Sequence, residues 1–199
     1  MSESDVTGET EEAIMLATYR ALCDHGYAGT TISAIGDEFE KSKSLLYYHY
    51  EDKEALLESF LRYILDEFES NLEAVEDDTP RAELWAIVDQ LLPPEMDEED
   101  FQFWRAIQET RANTPHSSAY HDQFARSDEL ILERLTDTIA SGVEDGSFHE
   151  VDPEETAQFL YSTFSGGLER GITLGDDEPI DETRKGLENY LEEVLFREE

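Results

Sequence analysis

The sequence predicts an all-α protein, with an N-terminal three-helix helix-turn-helix domain followed by a C-terminal helical domain. Three observations carry the fold class. Apolar residues recur at three- and four-residue spacing through most of the 199 residues, and no stretch alternates as a strand does. Proline, glycine and short acidic runs fall between the periodic stretches, where helices begin and end. Residues 30–53, TTISAIGDEFEKSKSLLYYHYEDK, contain two short amphipathic segments joined by a tight polar turn and closed by Tyr47-Tyr48-His49-Tyr50.

Residues 1–10 are acidic and read as a disordered arm, and a first helix follows over 11–25. Gly26 is the residue a left-handed helix end needs. Thr30 and Thr31 can cap a second helix over 32–39, whose buried stripe is Ile32, Ile35 and Phe39. Ser42 caps a third over 42–49, with Leu45, Leu46 and Tyr50 inward. Ser42, Lys43, Ser44, Tyr47, Tyr48 and His49 then point outward, and each can donate a hydrogen bond to a phosphate or a base edge. Burying all of Tyr47 to Tyr50 is difficult, because neighbours on a helix point about 100° apart and each hydroxyl needs a partner.

Asp52 opens a fourth helix over 52–75, and Glu76-Asp77-Asp78-Thr79-Pro80 ends it and starts a fifth over 81–92. The acids of 97–100 suit a solvated helix N-terminus better than a metal loop, since calcium-ligand spacing is absent. A sixth helix carries Phe101, Phe103, Trp104 and Ile107 to about 111. Asn113-Thr114-Pro115 interrupts, and a seventh helix runs over 117–141 until the Gly142 to Gly146 stretch. Asp152 caps an eighth over 153–174, and a ninth covers 181–196. The expected domains are 1–10, 11–57 and 58–199.

The segments IMLATYRALCDHGYAGTT over 14–31 and LLYYHYEDKEALL over 45–57 resemble, without a gap, the N-terminal domain of the TetR family of transcriptional regulators. The resemblance implies that Ile14, Ala17, Thr18, Ala21 and Leu22 pack onto the second and third helices, that Gly26 ends the first helix, and that Tyr27 plugs the core. It implies phosphate contacts from Thr31, Ser33, Tyr47, His49 and Lys53, and base contacts from Lys43, Ser44, Leu45 and Tyr48. Two positions depart from the family: Phe39-Glu40 stands where Ala-Gly is usual, and Lys41 where a small apolar residue is usual. Glutamate suits a left-handed turn less well than glycine. Residues 145–167, DGSFHEVDPEETAQFLYSTFSGG, resemble the family's C-terminal domain with lower motif specificity. This implies a homodimer in which the last two helices pair with their symmetry mates through Phe159, Leu160, Thr163, Gly167, Leu168, Leu187, Tyr190, Leu191 and Val194. Gly166 and Gly167 inside a helix cost about 1 kcal/mol each, which close helix approach can offset.

The family resemblance implies double-stranded operator DNA as a partner and a small effector in the C-terminal domain that shifts the fourth helix. Phe101, Trp104, Ile107, Phe124 and Phe164 are its candidate contacts, with core packing as the equal alternative for each. Few basic residues accompany these aromatics, so the expected effector is apolar or aromatic rather than a highly charged anion.

The net charge of −36 conflicts with DNA binding, because nucleic-acid binders usually present a basic face. The acid is spread through every segment while apolar periodicity persists, which fits a halophilic archaeon, whose cytoplasm holds molar salt and screens charge to about 3 Å. Only four lysines are present, and Lys41, Lys43 and Lys53, though not Lys185, fall in the helix-turn-helix region. Cys23 is alone, the histidines lack ligand spacing, and there is no phosphate-binding glycine loop or nucleophile elbow. The expectation is a cytoplasmic regulator and not an enzyme, with no cofactor, no metal and no membrane partner. The competing expectation is an acidic helical module that binds a small molecule or a protein and has lost DNA binding.

Overall fold

The computed structural model describes residues 3–39, 42–74 and 79–197. Among them are nine α-helices: α1 (Glu3–Gly29), α2 (Ile32–Glu38), α3 (Lys43–His49), α4 (Lys53–Glu73), α5 (Pro80–Leu91), α6 (Glu98–Ala112), α7 (Ser118–Asp145), α8 (Pro153–Leu174) and α9 (Glu178–Tyr190). A 3-10 turn at Thr114–His116 precedes α7, and a π turn at Leu191–Leu195 follows α9. No described strand is present; the one extended pairing is an isolated bridge between Phe148 and Phe196. No helix among the described residues is long and apolar enough to cross a membrane.

Local chemistry sets most boundaries. Thr31, Ser42, Thr79, Asp97 and Asp152 each accept from a backbone N–H in the first turn of the helix they precede. Asp97 and Asp100 form a reciprocal capping box, which assigns the acids of 97–100 to a helix start. Pro80 and Pro153 lie in first turns, where a missing N–H costs nothing. Gly175 ends α8 at φ 65°.

Several boundaries differ from the sequence reading. Helix α1 begins at Glu3, so the expected disordered arm is helical from there on, and residues 1–2 lie outside the described residues. Helix α7 continues through Gly142 to Asp145: a Cβ at Gly142 would meet the Phe148 ring at 2.4 Å, so this glycine makes room for an aromatic ring. Helix α9 starts three residues early, at Glu178, with Pro179 in its first turn. It passes into the π turn before residue 196, where Phe196 N–H donates to Leu191 O at 2.8 Å.

The chain forms two compact units, residues 1–67 with 97–124, and residues 68–96 with 125–199. Helix α6 belongs with the first unit because it packs along α1, where Tyr19 and Phe103 stack at 5.2 Å. The first unit's core contains Ile14, Ala17, Ala21, Leu22, Ile35, Phe39, Leu46, Leu56 and Leu57, all nearly inaccessible to water. In the second unit, Glu83 accepts from Arg134 at 2.8 Å and Thr138 at 2.9 Å, and Arg184 donates to Leu92 O at 2.6 Å.

Gly167 is buried where α8 crosses α9, and a Cβ there would lie 2.3 Å from Thr183 Oγ1. Gly186, exposed on α9, has open space around it. Gly167→Val is expected to cost about 1–3 kcal/mol by overpacking, whereas Gly186→Ala should stabilise by about 1 kcal/mol. Chemical denaturation in molar KCl measures both; equal effects at the two sites would contradict this packing.

Candidate nucleic-acid interface

The helix-turn-helix is built from short-range contacts. Thr31 extends into the α2 N-cap, where Ala34 N–H donates to its hydroxyl at 3.1 Å. Thr30 is buried instead and donates back to Gly26 O at 2.7 Å, tying the end of α1 to the start of α2. On α3, Leu46 is fully buried and Tyr50 N–H donates to its carbonyl at 2.9 Å. The opposite face is open: Ser42, Lys43, Ser44 and His49 are exposed, Tyr47 is 61% exposed and Tyr48 83%. Two adjacent tyrosines this accessible contribute little to folding.

Most of the expected DNA-contact residues converge on this face, with differences in detail. Thr31 and Ser33 are exposed on α2. Leu45 is half-buried against the core, which leaves only part of its side chain for a base. Lys43 is ion-paired with Asp37, also reaches Ser33 O at 3.4 Å, and lays its stem across Gly36, where a Cβ would meet it at 3.0 Å. Tyr48 and His49 rings meet edge-on at 5.3 Å. The Glu40-Lys41 turn, where the sequence departs from the family pattern, lies outside the described residues.

Lys53 takes an inward role that its position in the sequence did not suggest. Its Nζ donates to Tyr27 O at 2.7 Å and lies 4.6 Å from the centre of the Tyr27 ring. Tyr27 N–H donates to Glu109 Oε2 at 2.8 Å. Both backbone polar groups of Tyr27 are therefore held by distant residues, beside Gly26 at φ 65°, ψ 175°, where α1 is kinked. Neither Glu109 nor the inward role of Lys53 carries a local signal, since their partners are 82 and 26 residues away.

A cleft of 460 Å³ lies in the same unit, between Tyr27, the start of α4 and the α6–α7 connection. Its lining includes Tyr27, Asp52, Glu54, Glu58, His116 and Tyr120, and none of the expected effector contacts. Of those, Ile107 and Phe124 are buried in the first unit's core and Trp104 packs against it, while Phe101 is half-buried on α6. Phe164 is buried in the second unit beside Tyr161. No group of three or more His, Cys, Asp or Glu among the described residues is arranged to hold a metal.

The expected dimer residues divide in two. Leu160, Gly167, Leu168, Leu187 and Leu191 are buried within a single chain, and the close approach at Gly167 is between α8 and α9 of that chain. Gly166 has no atom near its Cβ direction. Phe159 and Val194 are 48% and 52% exposed, Thr163 and Tyr190 are partly so, and the Phe159 and Tyr190 rings pack at 4.9 Å.

Residues 14–60 match the family described as bacterial regulatory proteins, tetR family, and residues 80–195 match the BetI-type transcriptional repressor, C-terminal family. The HTH-type transcriptional regulator BetI of Ectopseudomonas mendocina is 25% identical over 90% of both chains. A TetR transcription regulator from Haloarcula marismortui has a crystal structure that is 34% identical, covers 94% of this chain and 99% of its own, and superposes with a TM-score of 0.87. A transcriptional regulator from Saccharomonospora viridis, crystallised in complex with choline, shares the fold at 21% identity and a TM-score of 0.79, over 96% of this chain and all of its own.

The Glu109 contact is the long-range tie in this region most open to test. Glu109→Ala leaves the Tyr27 N–H without its acceptor and should destabilise the protein by about 1–3 kcal/mol, with Glu109→Gln costing less because its amide oxygen still accepts. Thermal unfolding in molar KCl checks this; an unchanged midpoint for Glu109→Ala would show that the tie contributes nothing.

Proposed function

The chain belongs to the TetR family of DNA-binding transcriptional regulators, and from this premise we propose that it is a ligand-responsive repressor that binds a palindromic operator as a homodimer. The observation that carries the DNA half of the reading is the open outer face of α3, with Tyr47 and Tyr48 accessible above a fully buried Leu46. In the proposed complex α3 enters the major groove. Lys43, Ser44, Tyr48 and the exposed part of Leu45 meet base edges, and Thr31, Ser33, Tyr47, His49 and Lys53 meet phosphates. For Lys53 this requires leaving the Tyr27 carbonyl. Repression is favoured over activation by the match of residues 80–195 to repressors of the BetI type.

A dimer supplies two α3 helices about 34 Å apart, one turn of DNA. An effector that changes this spacing weakens binding without touching a base contact. The exposed Phe159 and Val194 and the partly exposed Thr163 and Tyr190, with open Gly166 beside them, support the dimer face. The effector is proposed to be apolar or aromatic and not an anion, in keeping with a surface that carries an excess of carboxylates. The choline held by the Saccharomonospora viridis regulator is likewise not an anion. The competing reading, a binding module without DNA affinity, draws on the net charge and on the Asp37 carboxylate that neutralises Lys43.

Filter binding to the protein's own upstream DNA in molar KCl separates the two readings. Lys43→Ala or Tyr48→Ala should weaken specific binding and relax base preference by about 1–3 kcal/mol. Tyr47→Phe or Lys53→Ala should instead weaken binding to all sequences alike. The carboxylates near α3 repel DNA at low salt, so cation uptake should make the salt slope shallow or reversed rather than steeply falling. Four silent substitutions would contradict the recognition face, and a steep conventional slope would contradict only the high-salt account.

Phe159→Glu should convert the dimer to a folded monomer, since the side chain is half-exposed and not needed inside one chain. Sedimentation in molar KCl reads this directly. An unmodified protein that sediments as a monomer, or a variant that stays dimeric, overturns the proposed face.

A further inference from the structure

Lys43, at the head of α3, is held by α2. Its Nζ is ion-paired with the Asp37 carboxylate and donates to Ser33 O at 3.4 Å, so the side chain reaches back across the turn to two residues of the preceding helix. The stem lies over Gly36, where a Cβ would meet Cγ and Cδ at 3.0 Å and Cε at 3.3 Å. A side chain at this buried position would crowd the stem. Three separate features therefore seat one lysine: a carboxylate, a carbonyl and a surface left open by a glycine. Folding gains little from the arrangement. Asp37 stands in the last turn of a seven-residue helix, where a carboxylate faces the negative end of the dipole. The two side chains are 46% and 68% exposed, so their pairing is weak as a source of stability.

We propose that Asp37 is an autoinhibitory latch: it occupies the Lys43 ammonium in the free protein, and DNA must displace it before Lys43 can enter the major groove. The reading rests on the recognition face proposed above and adds the regulation of that face by salt. An exchange of ions follows. When Lys43 leaves α2, its charge displaces about one condensed cation from the DNA, while the freed Asp37 carboxylate, now close to phosphates, takes one up. The two nearly cancel, so Lys43 makes its contact without steepening the salt dependence. Added KCl supplies the cation that Asp37 needs and weakens the pair that must open. Binding through Lys43 is thereby matched to a potassium-rich solution. A general excess of surface carboxylates does not do this, because it repels DNA without engaging one lysine.

The test is filter binding of the full chain to its own upstream DNA, over the range of KCl concentrations in which circular dichroism shows every variant folded. Asp37→Asn should tighten binding about fivefold at the lowest of these concentrations, the upper worth of an exposed pair. Its affinity should also fall more steeply with salt, by about one in the log–log slope, because no carboxylate is left to take up the cation. Glu38→Gln removes the same charge from the next position and should change affinity by less than about twofold. In a Lys43→Gln background Asp37→Asn should have equally little effect, the non-additivity expected of residues in contact. The melting temperature of Asp37→Asn should be unchanged or higher; a lower one assigns the pair to folding and overturns the latch. Equal effects of Asp37→Asn and Glu38→Gln, the same gain in the Lys43→Gln background, or an unchanged salt slope also overturns the latch and leaves the recognition face standing. No DNA binding by the unmodified protein or by Asp37→Asn at any salt concentration overturns both.

Discussion

The backbone of Tyr27 is the tie on which the first compact unit depends. Its N–H is held by Glu109 from α6 and its carbonyl by Lys53, the first residue of α4. Gly26 makes this possible, because its φ of 65° interrupts α1 and turns the Tyr27 N–H away from the helix ladder. A Cβ at Gly26 would lie 3.1 Å from Glu109 Oε2, in a backbone region that side chains rarely adopt. Thr30 completes the arrangement by donating back across the kink to Gly26 O. With α1, α4 and α6 joined at one residue, α2 and α3 have little choice of position: they span the chain between Tyr27 and Lys53, and Ile35, Phe39 and Leu46 anchor them to the same core.

That anchoring explains how so acidic a chain can present a surface for a polyanion. Buried apolar area positions α3, and this contribution is indifferent to surface charge. The charge problem is then local. Asp37 neutralises Lys43, and both side chains are well exposed, so the pair adds little to stability and can exchange its partner for a phosphate at little cost. In molar salt the reach of the remaining carboxylates would shorten to about 3 Å, which would leave hydrogen-bond geometry rather than net charge to decide contacts made on the face.

What could be read from the sequence is what depends on neighbours a few residues apart. Thr31 and Ser42 cap α2 and α3, and Ile35, Leu46 and Phe39 turn inward, because caps and stripes act over three or four positions. The exposed faces of Tyr47 and Tyr48 follow from the same periodicity. What escaped is non-local. Gly167 looked like a contact between subunits and instead faces Thr183 of its own chain, since a small residue on a helix does not reveal which neighbour approaches it. Lys53 donates inward to the Tyr27 carbonyl beside the kink at Gly26, a bond that its neighbours in the sequence do not announce. Tyr120 and Glu58 lie 62 positions apart in the numbering and line the same cleft.

The central claim is that the outer face of α3, held in place from Tyr27 and the core beneath it, is where DNA is bound. Amide hydrogen exchange of the full chain in molar KCl, with and without its own upstream DNA, tests this most directly. The account predicts slower exchange concentrated at residues 31–33 and 42–53 when DNA is added, with α5 unchanged. Protection that appears elsewhere and spares residues 42–53, or no change at any salt concentration, would contradict it.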